Sequence, residues 1–196
     1  APEGRLVAFD TNPDRVTETL KPIAFKSNAD GSCTIDFGEM ISGHVRLKNI
    51  SGEKDKTIKI KYESAYAQEV SYTFKNSAPV DYAPQFTWYV FRYVTISGLT
   101  PTADQIVAEA VNTDMKVNSE FTTSNELFNK INYVWQRTEK DNIHSGVESD
   151  CPHRERIPYT GDGQAVCSTV MHNFDGAAFF RSWFNSMRDA QDRETG

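Results

Sequence analysis

The spacing of apolar residues changes once along this chain, near Ser119, and that change divides it into two kinds of structure. Before it, hydrophobic residues alternate with period two. In Lys56–Tyr62, residues Thr57, Lys59 and Lys61 face one side and Ile58, Ile60 and Tyr62 the other, the pattern of a half-buried antiparallel strand. Ile23–Lys26, Cys33–Phe37 and His44–Ile50 are further short runs of this kind, separated by turn clusters such as Asn28-Ala29-Asp30-Gly31 and Ser51-Gly52-Glu53. Phe86–Ile96, rich in aromatic and β-branched residues, predicts a long central strand ended by Gly98 and Pro101, and Ile106–Asn112 predicts the last strand. Several short strands with regular turn signals predict a sandwich.

After Ser119 the period is helical. Thr123-Ser124-Asn125-Glu126 has the form of a capping box, with Thr123 accepting from the Glu126 N–H. Leu127, Phe128, Ile131, Val134, Trp135 and Thr138 follow on one stripe, so a helix is expected to about Asp141. Pro152 and Pro158, with Gly146 and Gly161, predict an irregular stretch over Ser145–Gly161. A second helix is expected over Gly163–Asn173, and a third capped by Asp175 with Phe179, Phe180, Trp183, Phe184 and Met187 at core spacing. The fold class that results is α+β and multi-domain: an antiparallel β-sandwich over residues 1–115, then an incomplete all-α domain over 116–196. Both ends read as cut, since no initiator Met is present and the chain stops just after a helix.

With a formal charge of −6 and no Lys/Arg run, the chain is a poor match for a phosphate backbone, so no nucleic-acid partner is expected. No apolar run approaches the ~18 residues of a membrane span, so no membrane partner is expected either. Neutral sugars, peptides or small polar molecules fit better. Cys33, Cys151 and Cys167 are odd in number and lack zinc-type spacing with His44, His144, His153 or His172. Free thiols, two of them buried, and neither metal nor cofactor are expected. A periplasmic or secreted bacterial location is favoured over the cytoplasm.

The segment Glu148–Gln164 concentrates chemistry. Four carboxylates, two arginines and a histidine share one proline-stiffened loop. Crowded carboxylates raise one another's pKa, and a carboxylic acid that keeps its proton near neutral pH can donate it to a leaving-group oxygen. Ionised neighbours can accept hydrogen bonds from sugar hydroxyls, with Arg154 donating to them or orienting them. Glycoside hydrolysis needs such a pair of acids. A solvated loop of self-neutralising ion pairs fits the same charge pattern, and spacing alone does not choose a catalytic residue.

The string Asp150-Cys151-Pro152-His153-Arg154-Glu155-Arg156, followed by Tyr159-Thr160-Gly161-Asp162, resembles the signature of bacterial α-L-rhamnosidases, glycoside hydrolase family 78. Asp36-Phe37-Gly38 with Gly43-His44-Val45-Arg46-Leu47, Phe91-Arg92-Tyr93-Val94 with Gly98, and Phe121-Thr122 with Asn125-Glu126-Leu127 extend the resemblance over most of the chain. It implies β-sandwich domains before an (α/α)6 barrel, of which this chain is a fragment holding the first helices. It also implies removal of terminal α-L-rhamnose from glycosides or polysaccharides with inversion. By position, Glu155 matches the general acid, with Asp150 the second candidate. Asp150, Arg154 and Asp162 match residues that hold the sugar hydroxyls, and Tyr159 stands where many members carry a tryptophan lining the pocket. Two departures stand out: Arg154-Glu155 lacks an intervening acidic residue found in many members, and Pro158 replaces a common glycine. The general base of the family comes from a later part of the barrel, so the rest of the parent polypeptide is an implied partner. A carbohydrate-binding or structural β-sandwich without catalysis is the alternative, and a related inverting glycosidase acting on another sugar is a third reading.

The remaining candidates read as structural. Trp135, Phe179 and Trp183 could stack on a sugar but lie on helical core stripes. Trp88, Tyr89 and Tyr93 lie in a strand and are expected to pack. His144 and His153 are expected as surface or hydrogen-bonded residues, and Cys151 as a buried spacer.

Overall fold

The computed structural model describes residues 7–64, 66, 68–154, 156–192 and 194–195. They form two compact units: one of residues 16–112 with 151–156, the other of the residues up to 15 with 113–150 and 157–196.

The first unit is a sheet structure. Its strands are β1 (Asp14–Leu20), β2 (Ala24–Ser27), β3 (Cys33–Ile50), β4 (Thr57–Glu63), β5 (Gln68–Thr73), β6 (Val80–Tyr82), β7 (Tyr89–Ser97) and β8 (Ile106–Thr113). They run in the order β1-β8-β3-β7-β4-β5, with β2 and β6 also paired to β3. The expected β4 alternation is realised: Ile58, Ile60 and Tyr62 are buried, while Thr57, Lys59 and Lys61 are exposed. With Ile35, Phe37, Ile41, Val45, Leu47, Phe91, Val94 and Ile96 they form the core of an antiparallel β-sandwich.

Two expected strands, Cys33–Phe37 and His44–Ile50, are one. The register shifts between Asp36 and Ile41, and β3 bends there without ending. Its first part pairs with β2 and β7, its later part with β7, β8 and β6. A Cβ on Gly43 would run into the Glu109 backbone of β8, so this crossing requires glycine. Strand β7 begins at Tyr89, later than expected, because Phe86 has φ +58° and a fully exposed ring. The strands β1, β5 and β6 were not expected; β5 buries little and β6 is three residues long, so neither carries a strong apolar pattern.

The second unit contains α1 (Glu126–Asn142), β9 (Ile143–His144), β10 (Val147–Glu148), α2 (Thr160–Asn173) and α3 (Ala177–Ala190). Ser145 and Gly146, both at positive φ, turn β9 back onto β10 as an antiparallel hairpin. Its core is Met115, Ile143, Val170, Phe174, Phe179, Phe180 and Trp183.

Helix boundaries correct the sequence reading in three places. Asn125, not Thr123, caps α1: its side chain accepts from the Leu127 N–H. The hydroxyl of Thr123 instead serves the turn, accepting from the Asn125 N–H. Helix α2 already runs from Thr160, so Gly161 lies inside it. Helix α3 starts after Gly176 with no side-chain cap, and Asp175 N–H bonds the Lys116 carbonyl instead. The α3 core spacing holds for Phe179, Phe180 and Trp183, whereas Phe184 is exposed. The α1 stripe is more exposed still: Leu127, Phe128, Ile131 and Val134 are open, and the buried residues of α1 are Glu139 and Asp141.

Candidate active-site loop

The loop divides between the two units. Glu148–Asp150 and 157–164 belong to the helical unit, and 151–156 to the β unit. Glu155, the expected acid, lies outside the described residues.

In the helical unit the two roots of the loop are tied together. Ser149 and Pro158 form an antiparallel bridge, and the Tyr159 N–H reaches the Glu148 carbonyl at 3.4 Å. Ser149 donates from both N–H and Oγ to the Asn142 carbonyl at the end of α1, each at 3.1 Å. Tyr159 then leads into α2, whose Gly163 lies so close to the Trp183 ring that any Cβ would collide with it. These contacts fix the ends of the loop at places where the sequence offered only prolines. Asp150 and Tyr159 are exposed, and Asp162 is half-buried in the first turn of α2, where the helix dipole favours a negative charge.

Crowding does raise a carboxyl pKa here, but not through the loop alone. Glu148 is 3 % exposed and shares a side-chain hydrogen bond with Glu139 of α1, itself 4 % exposed. Burial pushes both above the ordinary carboxylate range. For Glu148, the charge and hydrogen bond of Glu139 and then the charge of Asp162 add to that push, so the pair retains a proton at neutral pH. Among the described residues, Glu139 Oε1 and Glu148 Oε2 have no hydrogen-bond partner. Glu139 escapes sequence reading because it sits on the polar side of a helical pattern, nine residues from its partner.

In the β unit, Arg156 is the fixed point. Its backbone is left-handed at φ +58° and its guanidinium is half-buried. It donates to Gln68 Oε1 at 2.8 Å, to the Trp88 carbonyl at 2.7 Å and to Thr87 Oγ1 at 3.4 Å. It also lies 5.2 Å from the Trp88 ring centre and 5.8 Å from that of Tyr89. The Trp88 indole N–H bonds the Pro152 carbonyl at 3.1 Å. Arg154 is exposed with its guanidinium 5.9 Å from the Tyr66 ring centre, and His153 lies 5.6 Å from the same ring. Sequence reading gave Trp88 a packing role and Arg156 none; nothing in a strand pattern signals that a distant loop arginine will find both.

The other candidates settle as follows. Phe179 and Trp183 are core residues, and Trp135 packs half-buried against Phe174. His144 is buried and bonded to the Asp141 carbonyl. Of the cysteines only Cys33 is buried; Cys151 and Cys167 are partly exposed, because Cys151 sits in a turn and Cys167 on an incompletely covered face of α2.

Comparison with known proteins places this geometry. The family model for the bacterial α-L-rhamnosidase concanavalin-like domain matches residues 26–113, and that for the bacterial α-L-rhamnosidase six-hairpin glycosidase domain matches 116–196. An α-L-rhamnosidase of Formosa agariphila is 32% identical over 96% of this chain and 22% of its own length. The α-L-rhamnosidase of Dictyoglumus thermophilum superposes with a TM-score of 0.86 at 32% identity, over 93% of this chain and 22% of that one. The Streptomyces avermitilis α-L-rhamnosidase, solved in complex with L-rhamnose, gives 0.87 at 26% identity, over 96% and 20%. The chain thus spans about a fifth of the length of the relatives it matches. Two adjoining domain matches, with a fold shared end to end with solved members, show that the chain belongs to the bacterial α-L-rhamnosidase family.

Proposed function

We propose that this chain supplies the acid half of an inverting α-L-rhamnosidase. Glu155 protonates the leaving oxygen as the glycosidic bond breaks, and Asp150, Arg154, Tyr159 and Asp162 hold the terminal rhamnose of a glycoside or polysaccharide. The oxocarbenium-like transition state gains from nearby negative charge, which Asp150 and Asp162 provide. An inverting reaction also needs a base ~6.5–9.5 Å from the acid, to admit a water. We place that base outside these residues, in a further part of the six-hairpin domain, and therefore expect the 196-residue chain alone to turn over no substrate. The domain arrangement that goes with this is a sandwich over 1–115 and a catalytic helical part over 116–196.

The observation that carries the reading is family membership over both domains, joined to an acidic loop closed at its roots by the Ser149–Pro158 bridge. The test is hydrolysis of aryl and alkyl α-L-rhamnosides by the full-length protein carrying these residues. Glu155→Gln should lower kcat about 10²–10⁴-fold on alkyl rhamnosides, whose leaving groups need a proton. Wild-type turnover in that variant would remove Glu155 from the role, and Asp150→Asn would be tested next. The concanavalin-like description over residues 26–113 favours one second reading, sugar binding by the β unit without catalysis. Rhamnose binding by this chain that survives substitution of Asp150, Arg154 and Asp162 would support it.

A further inference from the structure

A loop that must deliver a proton donor needs its backbone held, and prolines stiffen a loop without saying where it points. The β unit contains the missing constraint. We propose that Arg156 is a positioning residue for the acid: bound by Gln68, Thr87 and Trp88, it anchors the acid-bearing loop to the strands, so that the sheet sets where the proton donor is delivered. The inference rests on Glu155 being the acid.

Three features support it. Arg156 follows Glu155 directly in the chain, so fixing one constrains the attachment point of the other. Its guanidinium uses its planar fork, donating to three acceptors while lying near two aromatic rings, an arrangement that a lysine ammonium cannot reproduce. The anchor is itself rigid: Tyr89 stacks at 4.0 Å on Tyr62, a fully buried core residue, and Trp88 holds the other end of the segment through the Pro152 carbonyl. The arginine is therefore connected through Tyr89 and Tyr62 to the centre of the sandwich. A left-handed backbone at a residue with a long side chain also persists only where its surroundings hold it.

The experiment compares leaving groups. In the full-length protein, Arg156→Ala should reduce kcat on an alkyl α-L-rhamnoside about 10²-fold, the size of effect expected when a catalytic group is displaced by about an ångström. On 2,4-dinitrophenyl α-L-rhamnoside, whose leaving group departs without a proton, the loss should stay within about threefold, with KM little changed on either substrate. Arg156→Lys should resemble the alanine variant, and added guanidinium should restore part of the alkyl activity to Arg156→Ala. Gln68→Ala, which leaves the loop sequence intact, should show the same leaving-group pattern in weaker form. Equal losses on both substrates, or none, would reduce Arg156 to a stabilising residue and overturn the inference. Glu155→Gln serves as the control: if it lacks the leaving-group pattern, the acid assignment itself fails. Amide hydrogen exchange on the 196-residue chain gives a readout free of turnover. Arg156→Ala should speed exchange at His153 and Arg154 while β4 and β7 stay protected, and unchanged exchange there would also overturn the anchor.

Discussion

The two units bury charge in opposite ways. In the β unit, buried Glu109 meets hydrogen-bonding partners: its Oε1 is 2.6 Å from Nε of the Arg46 cation, and its Oε2 is 3.0 Å from Nε2 of His44, whose own pKa burial lowers. Burial alone would raise its pKa, but Arg46 and then His44 more than offset that, and the carboxyl sits below its ordinary range. In the helical unit, Glu148 meets another acid, Glu139, and its carboxyl is pushed far up. The sandwich closes around its core, whereas α1 leaves Leu127, Phe128, Ile131 and Val134 open among the described residues. The contrast separates two uses of burial: matched charges and a closed core stabilise a scaffold, while like charges in a sealed place hold a proton.

The contrast can be tested, beginning with the core. Phe91→Ala, at a fully buried ring that contacts Phe37 and Tyr62, should destabilise the β unit by ~3–5 kcal/mol in chemical denaturation, whereas Leu127→Ala on the open stripe should stay within ~0.5 kcal/mol. A comparable loss at Leu127 would mean that α1 is covered in solution. Glu109→Gln should cost about 1–3 kcal/mol at pH 7, part of it from leaving Arg46 without its charged partner. Because the folded-state pKa of Glu109 is depressed, its contribution is complete above the unfolded value near 4.5 and is lost as pH falls through the folded value, so wild type and variant should converge in acid. Glu148 gives the opposite slope. Its folded-state pKa is raised, so the stability of the helical unit should be greatest below about 4.5 and decline as pH rises toward the raised value, near 10. Glu148→Gln, which keeps a donor but has no proton to lose, should flatten that decline in melts between pH 5 and 9. An unchanged slope would show that the Glu139–Glu148 pair does not share a proton. The smallest effect is expected at Phe184→Ser, an exposed position of α3, with a melting temperature close to that of the parent.

Much of the scaffold was legible because a period of two, or of 3.6, is written directly in residue types. Ile58, Ile60 and Tyr62 announce β4, and Phe179, Phe180 and Trp183 announce the buried side of α3. What failed was punctuation. The gap left between Cys33–Phe37 and His44–Ile50 is a bend within β3, and Gly161 reads as a helix breaker yet lies in the first turn of α2. Edge strands such as β5 and β6 bury too little to leave a pattern. The acidic loop was legible as a segment, through its composition and its family resemblance, but its supports were not. Glu139 reaches Glu148 from α1, and Gln68, Thr87 and Trp88 reach Arg156 from strand ends, through tertiary proximity that no local spacing encodes.

Strand β3 has a consequence for assembly. Gly43 is registered against both Tyr89 and Ala110, so the middle of the strand is zipped on its two flanks by segments made much later in synthesis. A nascent chain ending before β8 would present an unsatisfied ribbon edge, and such non-local pairing is slow to nucleate. Proline at Ser42 would disturb the pairing with β7 beside that residue, and proline at Val45 would remove the N–H that donates to the Tyr62 hydroxyl. The sandwich is therefore expected to mature as a single late event, gated by arrival of its final strand, and this segment is a poor place to cut, permute or splice.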